Sequence, residues 1–285
     1  MIDFVSHCQS CFRLATYLAF TLCLIPFQAL AVARGWRLQV AIPLFYHRHA
    51  ARILGFRVEV RGRISTDAPT LFVSNHASYA DMETLGSVIP GCFVAKTEVG
   101  KWPLFGTLAR LQRSVFVDRR VRSSATQRDS LADRLQGRDN LILFPEGTSN
   151  DSISVRPFKS ALFAAAEVRV EGRPVTVQPV SIAYTRLNGI PIGRDMRPFF
   201  AWYGDMELAG HLWKMTGFGT VDAVVQFYPP VTIDAFGSRK KLAEHCWRVI
   251  SDGVAAANAG RLPALEAAAE PEDVPAPIGA APVPQ

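Results

Sequence analysis

The chain has 285 residues, 49 % of them hydrophobic and 20 % charged, which suits one large domain or two small ones and excludes a disordered, collagen-like or disulfide-scaffold protein. The formal net charge is +6, but Pro263 to Gln285 hold four acids and no Lys or Arg, so the first 262 residues carry +10. That surplus suits an anionic partner such as a membrane surface, an acidic carrier protein or a phosphorylated substrate; nucleic acid ranks last, because no zinc-finger spacing and no basic-aromatic ribonucleoprotein motif is present.

Leu14 to Ala33 is a run of twenty uncharged residues bracketed by Arg13 and Arg34. At 1.5 Å per residue it reaches roughly the 30 Å of a bilayer core. Pro26 and Gln28 in its second half count against a clean span. Arg34, Arg37, Arg48 and Arg52 follow the run and only Arg13 precedes it, so the positive-inside rule puts the downstream chain in the cytoplasm. Trp36–Phe56 mixes apolar residues with His47, His49 and arginines, a composition that suits a helix in the membrane interface. Residues 1–56 are therefore expected to anchor the chain as helices, spanning or interfacial; a helical hairpin packed on the domain satisfies the same pattern. The five cysteines (Cys8, Cys11, Cys23, Cys92 and Cys246) are scattered and odd in number, which favours a reducing compartment. Cys8-x-x-Cys11 lacks a second ligand pair, so no metal site is expected.

From Arg57 short apolar runs alternate with amphipathic stretches. Strands are expected at 58–60, 70–73, 92–95, 114–117, 140–144, 175–183 and 223–228, and helices at 81–88, 104–111, 123–135, 159–168, 207–215 and 238–257. The alternation predicts an α/β domain over 57–260. Pro179 marks its strand as an edge or a bulge, and His211 and His245 read as surface or packing residues. Six prolines in the last 23 residues predict a disordered tail over 261–285.

Four short motifs punctuate this pattern. Ser74-Asn75-His76-Ala77-Ser78-Tyr79-Ala80-Asp81 follows a strand and opens a helix. A carboxylate five residues after a histidine can close an Asp–His hydrogen bond, fixing the imidazole tautomer and stabilising imidazolium as it takes a proton. On spacing alone, Asp81 is equally a helix cap and His76 a loop residue. Phe144-Pro145-Glu146-Gly147-Thr148 makes a tight turn at a strand's carboxyl end, where α/β sheets bind ligands, and it is also simply a good turn sequence. Phe116-Val117-Asp118-Arg119, followed by Arg120, ends a strand in two guanidinium groups suited to phosphate or carboxylate. Gln178-Pro179-Val180-Ser181 says little by itself.

In this order the four blocks resemble the glycerolipid acyltransferase family, over about residues 57 to 230. The resemblance implies an α/β fold: a mixed sheet flanked by helices, behind an N-terminal membrane-associated segment. It implies a membrane-bound O-acyltransferase on the cytoplasmic face of the inner membrane, without cofactor or metal. His76 would be the general base on the acceptor hydroxyl and Asp81 its orienting partner, and the donor a thioester of acyl-carrier protein or coenzyme A. Asn75, Arg119, Glu146, Gly147 and Thr148 are implied in acceptor binding. The leading acceptor is 1-acyl-sn-glycerol-3-phosphate, giving phosphatidic acid. One departure bears on it: where phosphate-binding members carry an arginine after the third block, this chain has Ser149, then Asn150 and Asp151. Arg119, Arg120, Arg156 or Lys159 can supply the missing cation. Alternatively the acceptor is a lyso-ornithine lipid, whose acyltransferases the stretches around 157–163 and 203–213 also resemble. A non-catalytic scaffold would have a broken His/Asp pair, and a hydrolase would want a nucleophile; no G-x-S-x-G elbow is present.

Overall fold

The computed structural model describes residues 2–117 and 125–262. Asp118, Arg119 and Arg120 of the second block, and the tail from 263 onward, lie outside the described residues.

Two long helices come first, α1 (Ile2–Ala33) and α2 (Leu38–Leu54), joined by a turn at Gly35. They are followed by β1 (Phe56–Arg61), β2 (Thr70–Ser74), α3 (Ala80–Gly86), β3 (Cys92–Lys96), α4 (Phe105–Leu111), β4 (Val115–Val117), α5 (Ala125–Gln136) and β5 (Leu141–Leu143). The short pair β6 (Arg169–Val170) and β7 (Arg173–Pro174) precedes the long β8 (Thr176–Leu187), then β9 (Ile190–Pro191), α6 (Leu208–Gly217), β10 (Val221–Phe227) and α7 (Arg239–Asn258). α1 begins twelve residues before the uncharged run and continues through Pro26.

The strands form one sheet in the order β1-β10-β8-β2-β5-β3-β4, with β9 added beside β8. β8, β2, β5, β3 and β4 are mutually parallel, β10 is antiparallel to β8, and β1 is parallel to β10. The sheet is thus mixed, and both faces are covered. Along β2, Leu71 and Val73 pack on one side with α5 and α7, while Phe72 packs on the other beneath α2 and α3. Burial on both faces is why the central strands read as unbroken apolar runs.

Pro179 corrects the expectation of an edge. Its strand is central, paired with β2 through Val73 on one side and with β10 on the other. The ring is tolerated because registered pairing with β10 ends one residue on, at Val180. The N–H that proline lacks is not missed there, and the Tyr228 N–H donates instead to the Pro179 carbonyl at 3.0 Å.

What positions the functional motifs is the pairing of β2 with β5, which aligns Val73 with Leu143. Parallel neighbours in register end at the same edge of the sheet, so the loops that follow them meet.

Candidate active site

β2 stops at Ser74, while β8 runs on beside it. The Asn75 side chain takes over the pairing: its amide donates to the Ile182 carbonyl and its oxygen accepts from the Ile182 N–H, both at 2.9 Å. The main chain is then free to turn, and His76 follows. Four donors converge on the fully buried Asp81. Its Oδ2 accepts from His76 Nδ1 (2.9 Å) and from the backbone N–H groups of Ala77 (2.7 Å) and Ser78 (2.9 Å), and its Oδ1 from the Tyr184 hydroxyl (2.6 Å). Burial and the adjacent Asp81 charge push Tyr184 well above the usual phenol range, so it stays a donor.

This bonding fixes the tautomer of His76. Nδ1 carries the proton toward Asp81, which leaves Nε2 with its lone pair free to accept one. Among the described residues Nε2 has no hydrogen-bond partner. The ring stacks on Phe144 at 4.2 Å and is 21 % exposed, so it is held flat but reachable. A buried acid, an oriented imidazole and an open Nε2 have the geometry of the base half of a triad, an arrangement suited to activating a nucleophile that a substrate supplies.

The second loop wraps the first. Glu146 is 2 % exposed. Its Oε1 accepts from the His76 N–H at 2.7 Å, and its Oε2 from Asn150 Nδ2 at 2.5 Å and the Arg156 N–H at 2.9 Å. Burial raises its carboxyl to about 7, against those three donors and His76, which act to lower it. Gly147 takes φ +82°, a left-handed turn that favours glycine. Thr148 is half-buried, Ser149 and Asn150 are buried, and the Asn150 N–H donates to the His76 carbonyl at 3.1 Å. Lys159 is exposed, with its N–H on the Pro145 carbonyl at 3.0 Å.

The structure therefore brings Asn75, His76, Asp81, Glu146, Gly147 and Thr148 together and sets Lys159 at the rim. Asn75 and Glu146, implied as acceptor contacts, have side chains turned inward instead. Each is occupied by backbone groups that the turning loops would otherwise leave unpaired. Three contributors escaped the sequence. Tyr184 lies 103 residues from Asp81, Phe144 was read as a strand end, and His211 as a surface or packing residue. His211 is 8 % exposed and links the Tyr79 hydroxyl at Nδ1 (2.9 Å) to the Phe199 carbonyl at Nε2 (3.2 Å), bracing the loop next to the motif. Burial lowers its pKa, in keeping with a neutral bridging ring.

One face of α1 follows the domain along its length. Ser6 and Ser10 donate to the carbonyls of Gly217 and Trp213, and Arg13 to those of Thr216, Phe218 and Gly219. Tyr17 donates to Glu83, and Gln28 to the carbonyls of Gln39 and Leu111. The opposite face exposes Phe4, Phe12, Leu18, Leu22 and Phe27, and the helix is long and apolar enough to cross a membrane. Between α1, α2, α3 and α4 lies an apolar cavity of about 170 Å³, with Leu24, Ile42, Met82, Phe93 and Phe105 in its walls. Phe93 stacks on Phe144, the ring that carries His76, so two stacked aromatic rings connect the cavity wall to the imidazole.

Comparison with known proteins shows the family and the fold. Residues 56–183 match the protein family described as acyltransferase. The solved 1-acyl-sn-glycerophosphate acyltransferase PlsC of Thermotoga maritima has the same fold, with a TM-score of 0.62 over 89 % of this chain and 96 % of that one, at 22 % identity. A 1-acyl-sn-glycerol-3-phosphate acyltransferase of Neisseria gonorrhoeae is 27 % identical over 71 % of this chain and 77 % of its own length. A lyso-ornithine lipid O-acyltransferase of Brucella abortus is 43 % identical over 80 % of this chain and 87 % of its own. At that identity and coverage the chain belongs to the glycerolipid acyltransferase family and is an acyltransferase.

Proposed function

We propose that the chain moves a fatty acyl group from a thioester of acyl-carrier protein or coenzyme A to the free hydroxyl of a lyso-ornithine lipid. The open Nε2 of His76, with Nδ1 held by a sealed carboxylate, is the observation that carries the chemistry. Nε2 takes the hydroxyl proton as the oxygen attacks the thioester carbonyl, and Asp81 stabilises the imidazolium. Collapse of the tetrahedral intermediate expels the thiolate, which recovers that proton as thiol. Such base catalysis is worth roughly 10²–10⁴-fold, and the remainder is positioning. The apolar cavity suits an acyl chain.

For the acceptor, the 43 % identity to a lyso-ornithine lipid enzyme against 27 % to a lysophosphatidic acid enzyme outweighs the reading first favoured by the motifs. A buried Ser149 and Asn150 where a phosphate-binding arginine would stand point the same way. The second reading, 1-acyl-sn-glycerol-3-phosphate, is supported by the exposed Arg156 and Lys159, whose backbones are tied to Glu146 and Pro145. The arginines after α1 support a seat on the cytoplasmic leaflet, and the bonded face of α1 supports a helix lying in that leaflet.

The test gives the enzyme labelled acyl-carrier protein with lyso-ornithine lipid and lysophosphatidic acid in parallel. Acylation of lyso-ornithine lipid at least tenfold faster is expected, and the reverse preference would establish the second reading. His76→Ala is expected to abolish turnover while folding and membrane binding persist; residual wild-type activity would end the base mechanism.

A further inference from the structure

α3 has two faces with different partners. Asp81 points to Tyr184 of β8 and to His76, while Glu83, about 200° further round the helix, points to the N-terminal helices. The Tyr46 hydroxyl of α2 donates to the Tyr17 hydroxyl of α1 at 2.8 Å, and Tyr17 donates to Glu83 Oε1 at 3.0 Å. His47 Nδ1 of α2 meets Glu83 Oε2 at 2.7 Å. His47 Nε2 meets Gln112 Oε1 at 3.0 Å, and Gln112 turns that atom to the ring because its Nε2 reaches the Gly91 carbonyl at 3.3 Å. Both ring nitrogens thus have side-chain partners within hydrogen-bond distance.

The same ring fills the space beside Gly86, where a Cβ would lie 2.6 Å from His47 Cδ2. His47 therefore grips α3 at two points three residues apart, one by a hydrogen bond to Glu83 and one by contact at Gly86. The side chains of His47 and Glu83 are only 9 % and 12 % exposed, and both line the apolar cavity. A buried ion pair gains little over a well-packed apolar pair, because desolvation offsets its attraction. What directional groups add over apolar ones here is orientation.

We propose that Glu83 is a positioning residue. Held by Tyr17 and His47, it sets the rotation of α3 about its axis and so the aim of the Asp81 carboxylate at His76 Nδ1. The two N-terminal helices are then part of the catalytic alignment as well as of the attachment. The proposal rests on His76 and Asp81 acting as the base pair.

The experiment measures kcat, KM and pH profiles for purified Glu83→Gln, His47→Gln and Tyr17→Phe enzymes, with rates expressed per folded molecule. Glu83→Gln is expected to lower kcat about tenfold with KM for donor and acceptor within twofold. The acid limb of its kcat/KM profile is expected to move to lower pH, because a loosened Asp81 contact makes the His76 ring easier to deprotonate. Tyr17→Phe, which removes one hydroxyl and no charge, is expected to lose about threefold in kcat and carries the test if Glu83→Gln does not fold. A kcat per folded molecule and an acid limb both equal to wild type would overturn the proposal and leave the cluster a fold contact. His76→Ala run alongside separates the failures: if it stays active the underlying mechanism is wrong, and if it is dead while the other variants behave as wild type, only the role of Glu83 is.

Discussion

Glu146 is a residue on which opposing forces act and burial prevails. Burial drives its carboxyl to about 7 from an ordinary 4.5, while three N–H donors and His76 pull it down. A carboxyl whose affinity for protons rises on folding contributes stability that is complete below pH 4.5 and is lost as pH climbs through 7, on the order of 3 kcal/mol in all. Replacing it by Gln removes the titration. The gap in unfolding free energy between wild type and Glu146→Gln should therefore shift against wild type between pH 4.5 and 7 and stay flat above; parallel urea-melt series at all pH values would contradict the placement. At this scale the sequence was readable where partners are close along the chain. His76 and Asp81 are five residues apart, a spacing that allowed the pair without deciding it, and the four blocks in series singled it out. Tyr184 was invisible, because only the sheet brings it to Asp81. Glu146 was found for its position but not its direction: a turn motif reveals that a carboxylate stands there, and says nothing about the donors folded over it.

Among the elements, α1 departs furthest from its sequence reading. Arg13 looked like the flank of an apolar run, because a charge at the end of such a run ordinarily marks water. It is instead directed at the carboxyl end of α6, where one guanidinium nitrogen reaches the Thr216 carbonyl in the last turn and those of Phe218 and Gly219 just beyond it. Ser6, Ser10, Arg13 and Tyr17 recur at three- and four-residue steps, so the stripe was present in the letters. Hydropathy alone weighs the whole turn and hides it. Arg13→Ala should cost about 1.5–3 kcal/mol and raise hydrogen exchange in α1 more than in β2 or β8. Equal protection of α1 in both proteins would mean that the apolar contacts suffice. Pro179 makes the converse point: a rule about proline holds for the hydrogen bond it deletes, and at the end of the β10 ladder that bond is not required.

Taken whole, the molecule carries an apolar surface along α1 that water does not favour, continued by Leu38, Phe45, Trp102 and Phe105. Cys8 and Cys23 are both exposed on α1, about 22 Å apart along its axis. Spin labels at these two sites, with Cys11 replaced, should report similar depths in vesicles if the helix lies in one leaflet. A difference near the full axial separation would mean that α1 crosses the bilayer and leaves its bonded face behind. The order of strands and their direction were not legible, since alternation of strand and helix fixes neither the reversal of β10 and β1 nor the insertion of β8 beside β2.

The Asn75 side chain invites one last thought. Its amide is chemically a peptide group that belongs to no strand, and Ile182 cannot tell it from one. A peptide link in the main chain is robust, but a side-chain amide can lose ammonia when the backbone nitrogen of the next residue attacks it, closing a succinimide ring that water then opens, which is how asparagines age. Loss of ammonia at Asn75 would set a carboxylate against the Ile182 carbonyl, oxygen facing oxygen. The durability of this loop therefore depends on keeping the His76 nitrogen, held on Glu146, away from a group that performs a backbone's task without a backbone's permanence.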